Sequence, residues 1–221
     1  MPRLGFIFDW DGVVVNSSKL HEKSWEVLAD EIGMSLPHGH FKKGFGKRNS
    51  VIIPEILGWS RKESEIEEWS LRKEEIYRKL GRDWGIEMIP GIRAFLQDIM
   101  VHKIPAVIGT STDRKNIDLA FEQLGIGEFF CGAICSEDVN LGKPNPEVFL
   151  KGAEVLGLPP KNCVVFEDSL HGIEAAIAGG MHGVAITTSQ PADLLKKAGA
   201  HLIVDSPMEL TVSELIKQFG L

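Results

Sequence analysis

The chain has 221 residues, 43% of them hydrophobic and 25% charged, so it can bury a core of ordinary size, and disordered and fibrous classes are excluded. With 24 basic against 31 acidic residues, a net charge of −7 and no basic run long enough to follow a phosphate backbone, nucleic acid is not an expected partner. Three cysteines without a CxxC pair, acidic residues too early for a secretory signal, and no apolar run near the roughly 18 residues of a membrane span predict a soluble, reducing, cytoplasmic setting away from membranes.

Residues 4–8 form a short apolar run, too short for a helix, which predicts a buried strand ending at Asp9-Trp10-Asp11-Gly12-Val13. Residues 17–84 then show helical patterns, at 21–32 and 62–80, with no convincing strand between them. Because 4–8 already belongs to the sheet and Pro90-Gly91 leads back into it, this stretch reads as a helical cap. It would be inserted into a core made of residues 1–16 and 85–221.

Apolar runs return at 106–108, 132–134, 164–166 and 184–186. Helical segments at 115–124, 146–156, 172–178 and 192–198 alternate with them, and turn signals at Gly125, Gly157 and Gly179-Gly180 punctuate the pattern. Strands alternating with helices of this length predict an α/β fold, a Rossmann-like, doubly wound parallel sheet with helices on both faces. Ligands of such sheets bind beyond the carboxyl ends of the strands.

Four polar groups fall there: Asp9 with Asp11, Thr110-Ser111-Thr112, Gly142-Lys143-Pro144, and Glu167-Asp168. Together they hold what phosphoryl transfer requires. A carboxylate can attack phosphorus, Mg²⁺ can bridge carboxylates and phosphate, and hydroxyl, amide and ammonium donors can hold the equatorial oxygens. A turn at Gly12 would aim Asp9 and Asp11 differently, so that one attacks in line while the other protonates the leaving oxygen. To act as an acid Asp11 must carry a proton, so its pKa is expected to be raised by burial or a neighbouring carboxylate.

In these four motifs, present in order, the sequence resembles the haloacid dehalogenase-like hydrolases, in the branch whose helical cap follows the first strand. The resemblance covers essentially the whole chain and extends to β-phosphoglucomutase and sugar-phosphate phosphatases. It implies that Asp9 is the nucleophile and Asp11 the acid and base, with the Asp11 backbone carbonyl also on the metal. Thr110 and Lys143 match the phosphate-binding hydroxyl and lysine, with Ser111 beside them. Asp9, Asp11, Glu167 and Asp168 would hold Mg²⁺, and an aspartyl-phosphate would form at Asp9 and be discharged by water or a second hydroxyl.

Each residue also has a plainer role open to it. Thr110 could cap the helix beginning near Asp113, Lys143 could be a surface residue in a proline-marked loop, and Glu167-Asp168 could cap a helix. In the cap, His21 is either a surface histidine or a partner that orients Asp11. Lys47-Arg48, after Gly44-Phe45-Gly46, could reach a phosphate or sugar. Arg72-Lys73 reads as a solvated helix face, and Trp25, Trp59, Trp69 and Trp84 read as cap packing. Asn16 stands where many relatives of the family carry Asp.

The expected activity is Mg²⁺-dependent hydrolysis of a small phosphorylated metabolite, such as a sugar phosphate, by a monomer or small homo-oligomer. The alternatives are a phosphosugar mutase of the β-phosphoglucomutase type and, in a different class, a non-catalytic fold-mate with a binding or regulatory role. Dehalogenase and phosphonatase chemistry is disfavoured, because those relatives lack the second Asp that Asp11 supplies here.

Overall fold

The computed structural model describes residues 4–220. Strand β1 (Gly5–Phe8) is followed by helices α1 (Ser18–Ile32), α2 (His40–Gly44) and α3 (Asn49–Val51). A π-helical stretch, Ile52–Leu57, then leads to α4 (Glu63–Trp84). The chain returns through α5 (Ile92–Val101) to β2 (Ala106–Gly109), α6 (Arg114–Leu124), β3 (Ala133–Ile134), α7 (Glu147–Leu156) and β4 (Cys163–Glu167). It ends with α8 (Leu170–Ala178), β5 (His182–Ile186), α9 (Ala192–Lys197), β6 (Leu202–Val204) and α10 (Val212–Phe219).

The six strands form one parallel sheet in the order β3-β2-β1-β4-β5-β6. Period-two alternation explains why β1 is apolar throughout. Phe6 and Phe8 point into a core shared with Phe95 of α5, Ile117 of α6 and Leu215 of α10. Ile7 points the other way, against Phe149 of α7 and Ala176 of α8. The α/β, doubly wound expectation therefore holds. Two strands differ from the sequence reading. The run at 132–134 pairs only over Ala133–Ile134, at the sheet edge, and β6 has just three residues, too few for a visible alternation.

Helices α1 to α4 build a separate apolar cluster around Trp25, Leu28, Ile53 and Ile76, with Trp59 and Trp69 packed against it. Trp84 departs from the expected packing role, with 58% of its surface exposed at the end of α4. The larger correction concerns Lys73. Far from lying on a solvated face, it is 2% exposed, whereas its neighbour Arg72 does sit at the surface, paired with Glu31. Charge alone cannot assign the face of an amphipathic helix whose buried side also carries ionised groups.

No helix among the described residues is long and apolar enough to cross a membrane.

Candidate active site

The strand ends converge as parallel topology requires. Asp9 continues the ladder, its N–H donating to the Phe166 carbonyl oxygen at 2.9 Å, and Thr110 does the same toward Ile134. Lys143, in the loop between β3 and α7, reaches back over the sheet. Its Nζ donates to Asp9 Oδ1 at 2.7 Å and to Glu167 Oε1 at 2.6 Å. The other oxygen of Glu167 accepts the backbone N–H groups of Asp168 and Ser169, both at 2.8 Å, at the start of α8.

Two glycines make room for these carboxylates. Gly12 has φ of 82°, and a Cβ there would lie 1.9 Å from Asp168 Oδ2. A Cβ on Gly172 would lie 1.7 Å from Glu167 Oε1, so the first turn of α8 can close over the buried carboxylate only without a side chain. Residues after β5, which the sequence reading did not select, complete the surroundings. Thr188 Oγ1 donates to the Gly12 carbonyl oxygen at 2.6 Å and lies 3.2 Å from Asp168 Oδ2, while Ser189 Oγ donates to the Asp168 carbonyl oxygen. Their signal was available: Thr187-Thr188-Ser189 follows an apolar run, like the other groups.

Asp9, Glu167 and Asp168 each offer an oxygen within 4.8 Å of the others, and all three residues are buried. Burial pushes the Asp9 carboxyl up to about 7; Glu167 and Asp11 add to the rise, and the Lys143 ammonium opposes it. Burial, with the charges of Glu167 and Asp9, lifts Asp168 well above the carboxylate range. Burial opposes the charge on Lys143, but the two carboxylates keep its pKa above the usual range. With all three carboxylates ionised, one ammonium would leave two negative charges unbalanced, which is why protons are retained there without a cation. Asp168 Oδ1 is also buried with no hydrogen-bond partner among the described residues. Both features fit a divalent cation with hard oxygen ligands, such as Mg²⁺.

Asp11 points away from this cluster, toward the helical layer. Its Oδ1 accepts from Ser17 Oγ at 2.5 Å and lies 3.0 Å from His21 Nε2. The other ring nitrogen of His21 is 2.7 Å from Lys73 Nζ, and the ring stacks on Tyr77 with centroids 4.3 Å apart. An ammonium can only donate, so His21 Nδ1 accepts and Nε2–H donates to Asp11. This overturns the expected direction of the Asp11 pKa. Burial would raise it, but the hydrogen bonds from His21 and Ser17 and the nearby Lys73 charge together hold it below its ordinary value.

The remaining expected site residues divide. Ser111 and Lys47 line a cleft with Asp11, His21, Lys73 and Glu74, walled on its apolar side by Trp25, Phe41 and Phe45. Lys47 Nζ also donates to His171 Nε2 at 3.1 Å. Thr110 is buried, and its Oγ1 accepts from the Thr112 N–H; Asp113, not Thr110, caps α6. Arg48 is the exception. It does not line this cleft; its guanidinium donates to the carbonyl oxygens of Ser136 at 2.9 Å and Asn140 at 3.1 Å, so it fastens α3 to the loop after β3. Its sequence neighbours could not reveal this, because the acceptors are backbone atoms some 90 positions away.

Comparison with known proteins agrees with this geometry. The family model for haloacid dehalogenase-like hydrolases matches residues 4–180. The chain is 35% identical over 217 residues to the chloroplastic 5-amino-6-(5-phospho-D-ribitylamino)uracil phosphatase of Arabidopsis thaliana. That match covers 97% of this chain but 57% of the plant protein. It is 30% identical over 212 residues to hexitol phosphatase A of Escherichia coli, covering 95% of this chain and 94% of that one. Among solved structures, β-phosphoglucomutase from Clostridium difficile superposes with a TM-score of 0.85 at 27% identity, over 97% of this chain and 96% of the other. In sequence and in fold, the chain belongs to the haloacid dehalogenase-like hydrolases.

Proposed function

We propose that this protein is a Mg²⁺-dependent phosphatase for a small phosphomonoester whose phosphate sits on a sugar or polyol hydroxyl, with Asp9 as nucleophile. The observation that carries this reading is the juxtaposition of Asp9, Lys143 and the buried acidic group around the unpartnered Asp168 Oδ1. The named activities of the plant and Escherichia coli relatives, an aminouracil ribityl phosphate phosphatase and a hexitol phosphatase, support the substrate class.

In this reading Asp9, Glu167, Asp168 and the Asp11 carbonyl would hold the cation. When bound, it supplies charge that offsets repulsion between the carboxylates and the phosphate. Asp9 attacks phosphorus, the bond to the leaving oxygen breaks, and that oxygen takes a proton from Asp11. Water then attacks the phosphoaspartate, Asp11 takes the water's proton, and Asp9 is released with inorganic phosphate. Lys143 offsets the charge on Asp9, and Thr110 and Ser111 face the transferred group.

The lowered pKa keeps Asp11 ionised, the form the second half of this cycle needs for it to accept a proton. For the first half, the negative charge of an arriving phosphate favours the protonated form. Residues 17–84 act as a cap: they bring His21 and Lys73 against Asp11 and close the cleft from water.

The test is phosphate release from a panel of sugar, polyol and nucleotide-precursor monophosphates, with Mg²⁺ and with EDTA, using Asp9→Asn as control. Release that needs both the metal and Asp9 supports the reading; inactivity on every monoester sinks it. Formation of glucose 6-phosphate from β-glucose 1-phosphate and its bisphosphate, without free phosphate, would replace it with a mutase.

A further inference from the structure

Glu74 has no place in the chemistry above, yet its surroundings are unusually complete for a carboxylate on a surface-layer helix. It is 8% exposed on α4. Its Oε1 accepts from Lys73 Nζ at 2.8 Å and from Asn49 Nδ2 of α3 at 2.7 Å. Its Oε2 accepts from Asn116 Nδ2 at 2.6 Å. Asn116 is fully buried on α6, which packs on the sheet, and its amide lies 3.2 Å from Thr112 Oγ1, just past Thr110. Arg78, one turn along α4, donates to Asn116 Oδ1 at 3.1 Å. The carboxylate thus closes the seam between the helical layer and the sheet layer at one buried point.

Lys73 ties this seam to the reaction. Its ammonium is housed between Glu74, His21 Nδ1 and the faces of Trp25 and Tyr77, each 5.5 Å away. Glu74 is the carboxylate that pairs with it. A buried ammonium without its anion must move or be neutralised. An ammonium that moves takes the donor from His21 Nδ1, and a neutral amine could accept there as well as donate, so in either case nothing obliges Nε2 to carry the proton that faces Asp11.

We propose that Glu74 is a positioning residue: clamped by Asn116 across the seam, it fixes Lys73, and through Lys73 the tautomer of His21 and the aim of Asp11. Proton transfer to the leaving oxygen therefore depends on the helical layer being seated on α6. This rests on the phosphatase reading, and on Asp11 as its acid and base.

The consequence is a dependence on leaving group. An alcohol needs a proton to depart, whereas p-nitrophenolate leaves as an anion, so a misaimed Asp11 slows alkyl phosphates more than p-nitrophenyl phosphate. The experiment compares kcat and KM on p-nitrophenyl phosphate and on the most active alkyl phosphate of the panel, for wild type, Glu74→Gln and Asn116→Ala. Thermal unfolding and near-ultraviolet circular dichroism check that each variant is folded. The ratio of alkyl to aryl kcat should fall about 10- to 100-fold in Glu74→Gln and by less, in the same direction, in Asn116→Ala. Imidazole ¹⁵N shifts, with His21 assigned through His21→Asn, should report an Nε2–H tautomer in wild type and a mixture in Glu74→Gln.

An equal loss on both substrates, no loss on either, or an unchanged His21 tautomer overturns the proposal while leaving the phosphatase reading intact. A wild-type protein that releases phosphate from no monoester removes both.

Discussion

If the buried carboxylates hold Mg²⁺ as proposed, lowering the pH sets protons against the cation for the same oxygens, and the raised pKa of Asp9 sets the scale of that competition. Asp9 has its pKa at about 7 in the folded, ion-free protein, against 3.8 for an ordinary aspartate. A cation needs the ionised form. With a pKa near 7, only about 3% of Asp9 is ionised at about pH 5.5 and roughly 90% at about pH 8, so Mg²⁺ affinity should rise about 30-fold over that range from Asp9 alone. Asp168, also raised, adds to the change in the same direction.

The stability sign follows from the same shift. Because the folded value lies above the unfolded one, the native state binds a proton that the unfolded chain has already released between the two values. The Asp9 contribution is therefore favourable at low pH and is lost as pH rises toward about 7, at up to about 1.4 kcal/mol per pH unit. Bound Mg²⁺ offsets that loss, so its stabilising effect on Tm should be small near about pH 5.5 and grow toward about pH 8. Titration calorimetry in two buffers of different ionisation heat measures both affinity and protons released; thermal unfolding with and without Mg²⁺ measures the rest. In Asp9→Asn the pH dependence should shrink to the part due to Asp168. An affinity equal at both ends of the range, or binding without proton release, would refute the assignment of these carboxylates as a cation site.

Gly172→Ala should abolish Mg²⁺-dependent phosphate release and lower stability by about 3 kcal/mol or more, since its Cβ must displace a buried, fully hydrogen-bonded Glu167; activity assays and chemical denaturation check this. Lys143→Met leaves Asp9 and Glu167 without their shared cation. It should cost about 3–5 kcal/mol in the ion-free protein, part of which added Mg²⁺ restores, as measured by denaturation with and without the metal. Arg48→Ala removes the strap to Ser136 and Asn140, and should raise KM several-fold while leaving kcat within about threefold. A fall in kcat with unchanged KM would show that Arg48 acts on the transition state instead.

The sheet was legible because strands buried on both faces have no polar face, so each appears as an unbroken apolar run ending at a polar group. Leu202–Val204 escaped notice because three residues at an edge carry too little pattern. The groups that meet at the sheet edge were legible for a related reason: in a parallel sheet every strand delivers its next residue to the same edge, so Asp9, Thr110 and Glu167 could be grouped from order alone. Thr188 and Ser189 obeyed that rule too, but hydroxyls after a strand are common enough to pass unremarked.

The helical layer was another matter. Arg72 and Lys73 are adjacent and alike in charge, yet one is half in solvent and the other is enclosed. Their separation follows from the 100° step of a helix and from what faces each position, and the facing groups, Glu31 for one and His21 for the other, come from another helix. Arg48 and Lys47 divide in the same way, one bound to backbone carbonyls of a distant loop and one turned to the cleft.

The sequence by itself determined the kinds of group delivered to the sheet edge, because the end of each apolar run and the order of the runs along the chain are local properties. Tertiary structure alone decided how those groups are ionised. The pKa of Asp11 was expected to rise and instead falls, since a carboxylate responds to the sum of burial and every nearby charge. Here the deciding groups, the His21 N–H and the Lys73 charge, arrive from helices that a reading along the chain cannot bring to the strand end.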